Sequence, residues 1–179
     1  REHLPVEVEL MADANEAWRV DQTARAMHEL QPFGLVWLEE PIRPDDFAGH
    51  AYLRSLGKVP LASGENLHTV AEFTQLITAG GVDFPEPDLT VCGGVTAFMK
   101  IARLAEAHNL PLISHGAHDL HVQLLAACPN AAYLEVHAFG LEKFMAEPLT
   151  VSEGYATAPD RPGHGIDLDM EALRAHAVT

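Results

Sequence analysis

Apolar runs that stop at a charged residue recur along this chain. Val36-Trp37-Leu38 leads straight into Glu39-Glu40-Pro41. Proline has no N–H for a ladder and restricts the residue before it, so this run reads as a buried strand ending at the carboxylates. The runs at 6–12, 59–62, 82–84, 110–113 and 131–136 have the same form and predict five more strands. Helical periods lie between them. Asp21 is the expected N-cap of a helix through Leu30, with Ala24, Met27 and Leu30 on its apolar side. Pro44-Asp45-Asp46 opens a short helix, and Thr69 caps another that ends at Gly80-Gly81. Residues 97–108 and 118–127 are also predicted to be helical. After Gly140 the pattern changes to Pro/Gly-rich extended segments over 145–167 and a small helix near 169–176.

Strands that alternate with helices predict an α/β fold with a parallel sheet. A closed barrel is favoured over an open doubly wound sheet. Asp13, Glu39, Glu65, Asp88, His115 and Glu135 lie at the ends of six successive strands. A barrel brings all strand C-termini to one mouth, whereas an open sheet spreads them apart. A complete (β/α)8 barrel has eight units and about 250 residues. The expectation is therefore six βα units of a TIM-type barrel, with two N-terminal strands absent from the chain.

Composition narrows the function. Hydrophobic residues make up 47% of the 179 and charged residues 21%, as in a globular protein. The net charge of −15 argues against nucleic acid and anionic membrane surfaces, which need clustered Lys and Arg. No apolar run approaches the roughly 20 residues of a membrane-spanning helix. Cys92 and Cys128 lack metal-ligand spacing and read as two free thiols, which points to a cytoplasmic protein.

Asp13, Glu39 and Glu65 stand at equal intervals of 26 residues, each ending an apolar run. A lone loop carboxylate is normally just solvated. Three in register at strand tips repel unless a cation sits between them, and hard oxygen ligands suit Mg2+. Glu40 is equally acidic but falls outside this register. Asp88 and His115 end successive strands, and a carboxylate beside an imidazole fixes its tautomer and raises its basicity. The bland alternative is an N-cap aspartate near a surface histidine. Glu135, at the end of the last strand, reads as a partly buried acid that hydrogen-bonds a substrate, or as an ordinary salt-bridge partner. Glu86 either adds an acceptor near the Asp88–His115 pair or faces outward, and outward is the expectation. His118, His121 and His137 have no motif role.

Asp13-Ala14-Asn15, Trp37-Leu38-Glu39-Glu40-Pro41, Gly64-Glu65-Asn66, Pro87-Asp88, Gly93-Gly94-Val95-Thr96, Ser114-His115 and Leu134-Glu135 together resemble the mandelate racemase subgroup of the enolase superfamily. The resemblance covers residues 6–136 in order. It implies a (β/α)8 or modified (β/α)7β barrel over 1–140, with a tail at 141–179 that returns towards an N-terminal capping domain not present in the chain. It implies that Asp13, Glu39 and Glu65 bind Mg2+, that His115 paired with Asp88 is the acid/base, and that Glu135 stabilises an enediolate. Asn15 and Asn66 are expected to reach the substrate or orient ligands. The implied chemistry is removal of the proton α to a carboxylate. Dehydration of a sugar acid is the leading expectation, and racemisation or epimerisation of a 2-hydroxy acid the alternative. The family's second-strand lysine would lie upstream of Arg1, so an inactive barrel fragment acting as a scaffold is the third reading. The expected partner is a small carboxylate, and the expected assembly a homo-oligomer.

Overall fold

The computed structural model describes residues 1–177. Strands β1 (Ala12–Asp13), β2 (Leu38–Glu39), β3 (Leu61–Ser63) and β4 (Phe84–Pro85) form a parallel sheet in sequence order. Asp13 pairs with Glu39, and Leu38 with Leu61, so the register sets successive strand ends side by side. The next two predicted strands continue the sheet through isolated bonds. Ile113 N–H donates to Pro85 O, and a parallel bridge links Leu112 to Ala131. The sheet curls so that its ends approach. Tyr133 meets Trp37 edge-on at 5.3 Å between centroids, and its hydroxyl donates to Glu9 at 2.9 Å.

Helices α1 (Val20–Leu30), α2 (Phe47–Ser55), α3 (Val70–Thr78), α4 (Val95–Ala107) and α5 (His118–Ala126) cover the outside, each packed on the next. Their apolar stripes bury Met27, Leu53, Phe73, Leu76, Phe98, Ile101 and Ala105 against the sheet. Thr69 caps α3 by accepting from Glu72 N–H, and Asp46 caps α2 by accepting from Gly49 N–H. Among the described residues, no helix is long and apolar enough to cross a membrane.

Several expected boundaries shift. Residues 6–8 are turns, since the Arg1 guanidinium takes Val8 O at 2.6 Å and Phe33 O at 2.9 Å; sheet bonding begins at Leu10. The cap of α1 is Arg19, whose N–H donates to Gln22 Oε1; Asp21 lies in the first turn and binds Arg25 instead. Of residues 131–136, only Ala131 forms a ladder bridge.

Beyond Gly140 a two-stranded antiparallel hairpin, β5 (Val151–Ser152) with β6 (Tyr155–Ala156), precedes α6 (Met170–Ala175), which Asp169 caps. The expected tail extends to 179, and its last two positions, 178 and 179, lie outside the described residues. Cys92 and Cys128 are both buried free thiols, and burial pushes Cys92 up to about 11.

Candidate active site

One alternation rule builds the site. Side chains two apart on a strand share a face. Trp37, Ala62 and Ile113, with Met11, Phe84 and Tyr133 packed on them, form an apolar cluster inside the curve of the sheet. Two residues after Met11, Trp37, Phe84, Ile113 and Tyr133 come Asp13, Glu39, Glu86, His115 and Glu135. The strands thus carry an apolar floor and, one step on towards their C-terminal ends, a ring of titratable groups. Asp88 continues the Phe84–Glu86 face. Glu65 lies beyond Gly64, whose φ of +149° and closeness to the Phe73 ring would oppose any side chain.

Of the expected metal ligands, Glu39 and Glu65 come together with Glu86. These three carboxylates each offer an oxygen within 4.8 Å of the others. Asp13 stands outside that group, more exposed, with a carboxylate oxygen taken by the Asn15 N–H at 2.7 Å. Its charge still bears on both Glu39 and Glu65. Burial pushes Glu39 up, despite the Trp37 indole N–H donated to it at 2.9 Å. Burial also pushes Glu65 up to about 7, partly offset by His115 and reinforced by Glu40, Glu39 and Asp13.

Glu86 does not face outward as expected. It is 1% exposed, and its Oε2 has no hydrogen-bond partner. Burial first, then Glu39, Glu135, Glu65 and Glu40, hold its carboxyl well above the usual range. The signal was present in the sequence: Glu86 shares strand parity with the interior Phe84. A cavity of about 270 Å3 opens here, lined by Glu39, Glu86, Ser114 and Glu135 above Trp37 and Tyr133. An all-carboxylate donor set, mutually repelling and with one oxygen buried without a partner, fits a hard divalent cation.

Glu40 belongs to a different network. It is 1% exposed and accepts from Asn66 Nδ2 at 2.7 Å, Ser63 Oγ at 3.3 Å and Gly64 N–H at 3.4 Å. Asn66 also donates to Glu65 at 3.2 Å, so it orients two carboxylates. Asn15 lies exposed beside Asp13.

The expected dyad forms. His115 Nδ1 lies 3.1 Å from Asp88 Oδ2, and its Nε2 lies 3.4 Å from Glu65 Oε2. The Asp88 bond lifts the imidazole to about 9 against the effect of burial, helped by Glu65 and Glu135. Burial pushes Asp88 up, but bonds from His115 and from the Thr90 N–H and hydroxyl outweigh it and leave its carboxyl below the usual value. Glu135 Oε2 accepts from Gly116 N–H at 2.8 Å. His137 Nε2 approaches the same oxygen at 2.9 Å, but without hydrogen-bond alignment. His121 is fully buried just behind the dyad.

The family model for enolase C-terminal domain-like proteins matches residues 1–172, and the chain belongs to that family. It is 50% identical over 178 residues to a 3,6-anhydro-α-L-galactonate cycloisomerase of Streptomyces coelicolor, covering 99% of this chain and 49% of that protein. It is 37% identical over 179 residues to an L-talarate/galactarate dehydratase of Salmonella typhimurium, covering 100% of this chain and 45% of that one. A racemase from Streptomyces coelicolor, solved with bound magnesium, superposes with a TM-score of 0.94 at 49% identity, over 99% of this chain and 49% of the other. An L-talarate dehydratase from a Polaromonas species, complexed with Mg and L-glucarate, gives 0.91 at 40% identity, over 97% and 48%. The chain spans about half the length of the curated relatives it matches.

Proposed function

We propose that this protein removes the proton α to the carboxylate of a sugar acid in an Mg2+-dependent reaction, and then eliminates the β-hydroxyl to leave a 2-keto-3-deoxy acid. The observation that carries this reading is His115, held between Asp88 at 3.1 Å and Glu65 at 3.4 Å beside a cluster of buried carboxylates. Mg2+ would be held by Asp13, Glu39 and Glu65, with Glu86 beside the last two. Bound there, it would supply positive charge where negative charge develops on the substrate carboxylate.

His115 is the acid/base. Donation of Nδ1–H to Asp88 fixes the tautomer and leaves Nε2 directed at the mouth, to take the α-proton or protonate the departing hydroxyl. Glu135 spends Oε2 on Gly116, and its other oxygen would be the one that hydrogen-bonds a substrate carboxylate oxygen. Asn66 acts by orienting Glu65 and Glu40, and Asn15 is the better placed of the two asparagines to meet substrate.

Residues 1–140 would form later units of an eight-unit barrel of the mandelate racemase subgroup, and 141–179 a tail that returns towards a capping domain. A homo-oligomer is part of the proposal. Phe139, Val151 and Tyr155 are more than half exposed on or near the tail, as at a surface that another subunit covers.

The 50% identity to a cycloisomerase favours a second reading. If the β-oxygen belongs to a ring, the same α-proton abstraction and β-elimination open the ring and release no water. Incubating the protein with Mg2+ and a panel of sugar acids and anhydro sugar acids, followed by mass spectrometry, tests both. A 2-keto-3-deoxy product lighter by one water supports dehydration, and a ring-opened keto acid of unchanged mass, trapped by a carbonyl reagent, supports cycloisomerisation. Turnover without Mg2+, or undiminished in His115→Asn, would refute the proposal.

A further inference from the structure

We propose that His121 is a positioning residue that sets the distance between the two halves of the Asp88–His115 pair. His121 is fully buried on α5, where a histidine without a polar task would be a costly choice over an aliphatic residue. Both its ring nitrogens are used. Nε2 accepts from the backbone N–H of Leu89 at 2.9 Å, and Nδ1 lies 2.9 Å from Gly116 O. Leu89 directly follows Asp88, and Gly116 directly follows His115. The imidazole therefore ties the two loops that carry the dyad, one residue beyond each partner.

The bonding assigns the tautomer. A nitrogen that accepts from an amide carries no proton, so the proton is on Nδ1, which donates to Gly116 O. Burial lowers the pKa of His121 and His115 opposes its protonation. The Gly116 carbonyl, Asp88 and Glu135 favour protonation but do not outweigh them, so the ring stays neutral as the bridge requires. Phe98 of α4 packs on the ring at 5.3 Å between centroids, leaving it little room to turn.

Gly116 is held from both sides. His121 takes its carbonyl, and Glu135 accepts its N–H at 2.8 Å. Its φ of +57° is a left-handed backbone that glycine adopts without penalty, and a Cβ there would come within 3.3 Å of Asp88 Oδ2. His121 thus acts on His115 through one peptide and on Asp88 through another, without touching substrate. A histidine within a helix carries no motif, so this role is not legible in the chain.

This inference rests on reading Asp88–His115 as the acid/base pair, and the test separates the two ideas. Two variants, His121→Leu and His121→Gln, are compared with wild type at saturating Mg2+. The glutamine amide can donate and accept with similar spacing and serves as the conservative rescue. The expected result is a fall in kcat of about 10- to 100-fold in the leucine variant, with unchanged KM and divalent-cation affinity, and partial recovery in the glutamine variant. Imidazole 15N and Nδ1–H proton spectra give a readout independent of turnover. Wild-type His121 should show the Nδ1–H tautomer, and the His115 Nδ1–H resonance should weaken in His121→Leu. An unchanged His115 resonance in that variant would overturn the inference. So would a loss of kcat that merely parallels loss of cation affinity and thermal stability in both variants. If the spectra change as expected but no sugar acid is turned over by any form, the positioning role stands and the proposed function fails.

Discussion

Asn66 donates its side-chain amide to Glu40 over 2.7 Å, and that bond separates the roles of two adjacent glutamates. Glu40 is enclosed by Asn66, Ser63 and Gly64, whereas Glu39 faces the carboxylate cluster. Glu40→Ala should lower stability by about 2–4 kcal/mol, because it strands buried donors, while leaving divalent binding nearly intact. Glu39→Gln should do the reverse. Urea unfolding without metal, paired with calorimetric titration of Mg2+, distinguishes them.

The cluster itself should cost stability when no cation is bound. Glu39, Glu65 and Glu86 crowd their oxygens within 4.8 Å. Glu65→Gln removes a charge from this group and should raise the stability of the metal-free protein by on the order of 1 kcal/mol. The same variant should lose most of the Mg2+-induced rise in melting temperature. Melting curves with EDTA and with Mg2+ provide both results.

Acid should destabilise the fold through His50, at a distance from the site. His50 is fully buried; Nδ1 bonds to Asp46 O at 3.0 Å, and Nε2 has no partner. Burial lowers its pKa below the ordinary value of 6.5, outweighing the bond to the Asp46 carbonyl and the charge of Asp46. The unfolded chain therefore binds a proton that the folded chain refuses. This contribution is intact above pH 6.5 and is lost as pH falls towards the folded value. The raised carboxyls of Glu39, Glu65 and Glu86 act in the opposite direction, so the readout is a difference: between about pH 7.5 and about pH 5.5 the urea midpoint of wild type should lose ground relative to that of His50→Leu.

Asp88→Asn tests the dyad. The amide cannot stabilise an imidazolium, and it can favour the wrong tautomer of His115. Turnover should fall by about 10²–10⁴-fold, with KM within a few-fold of wild type. Steady-state kinetics on the best sugar-acid substrate would measure it.

Much of this was legible in the chain. Asp13, Glu39 and Glu65 stand out in the chain because a buried strand must end before charge begins, and parallel strands end on one side; in the structure Glu39 and Glu65 meet while Asp13 stands outside their group. His115 with Asp88 followed from the same rule. Glu86 is expected outward, yet it shares parity with Phe84 and is buried in the site. Asp21 is the better capping residue by type, but the α1 cap is Arg19, which uses its backbone and the Gln22 side chain. The strand expected over 131–136 is shorter; its alternation aims Tyr133 and Glu135 inward, but ladder bonding stops near Ala131. His121 could not be read at all, since its role depends on two loops distant in sequence.

In the proposed function His115 takes the proton from the carbon α to a carboxylate, with a divalent cation at the carboxylate cluster. A substrate deuterated at that carbon, followed by NMR, reports this step whether the product is a 2-keto-3-deoxy acid or a ring-opened isomer, because both routes release the label to water. Release should require Mg2+ and fall at least about 10²-fold in His115→Asn. Release at the wild-type rate in that variant, or without divalent cation, would contradict the role given to His115.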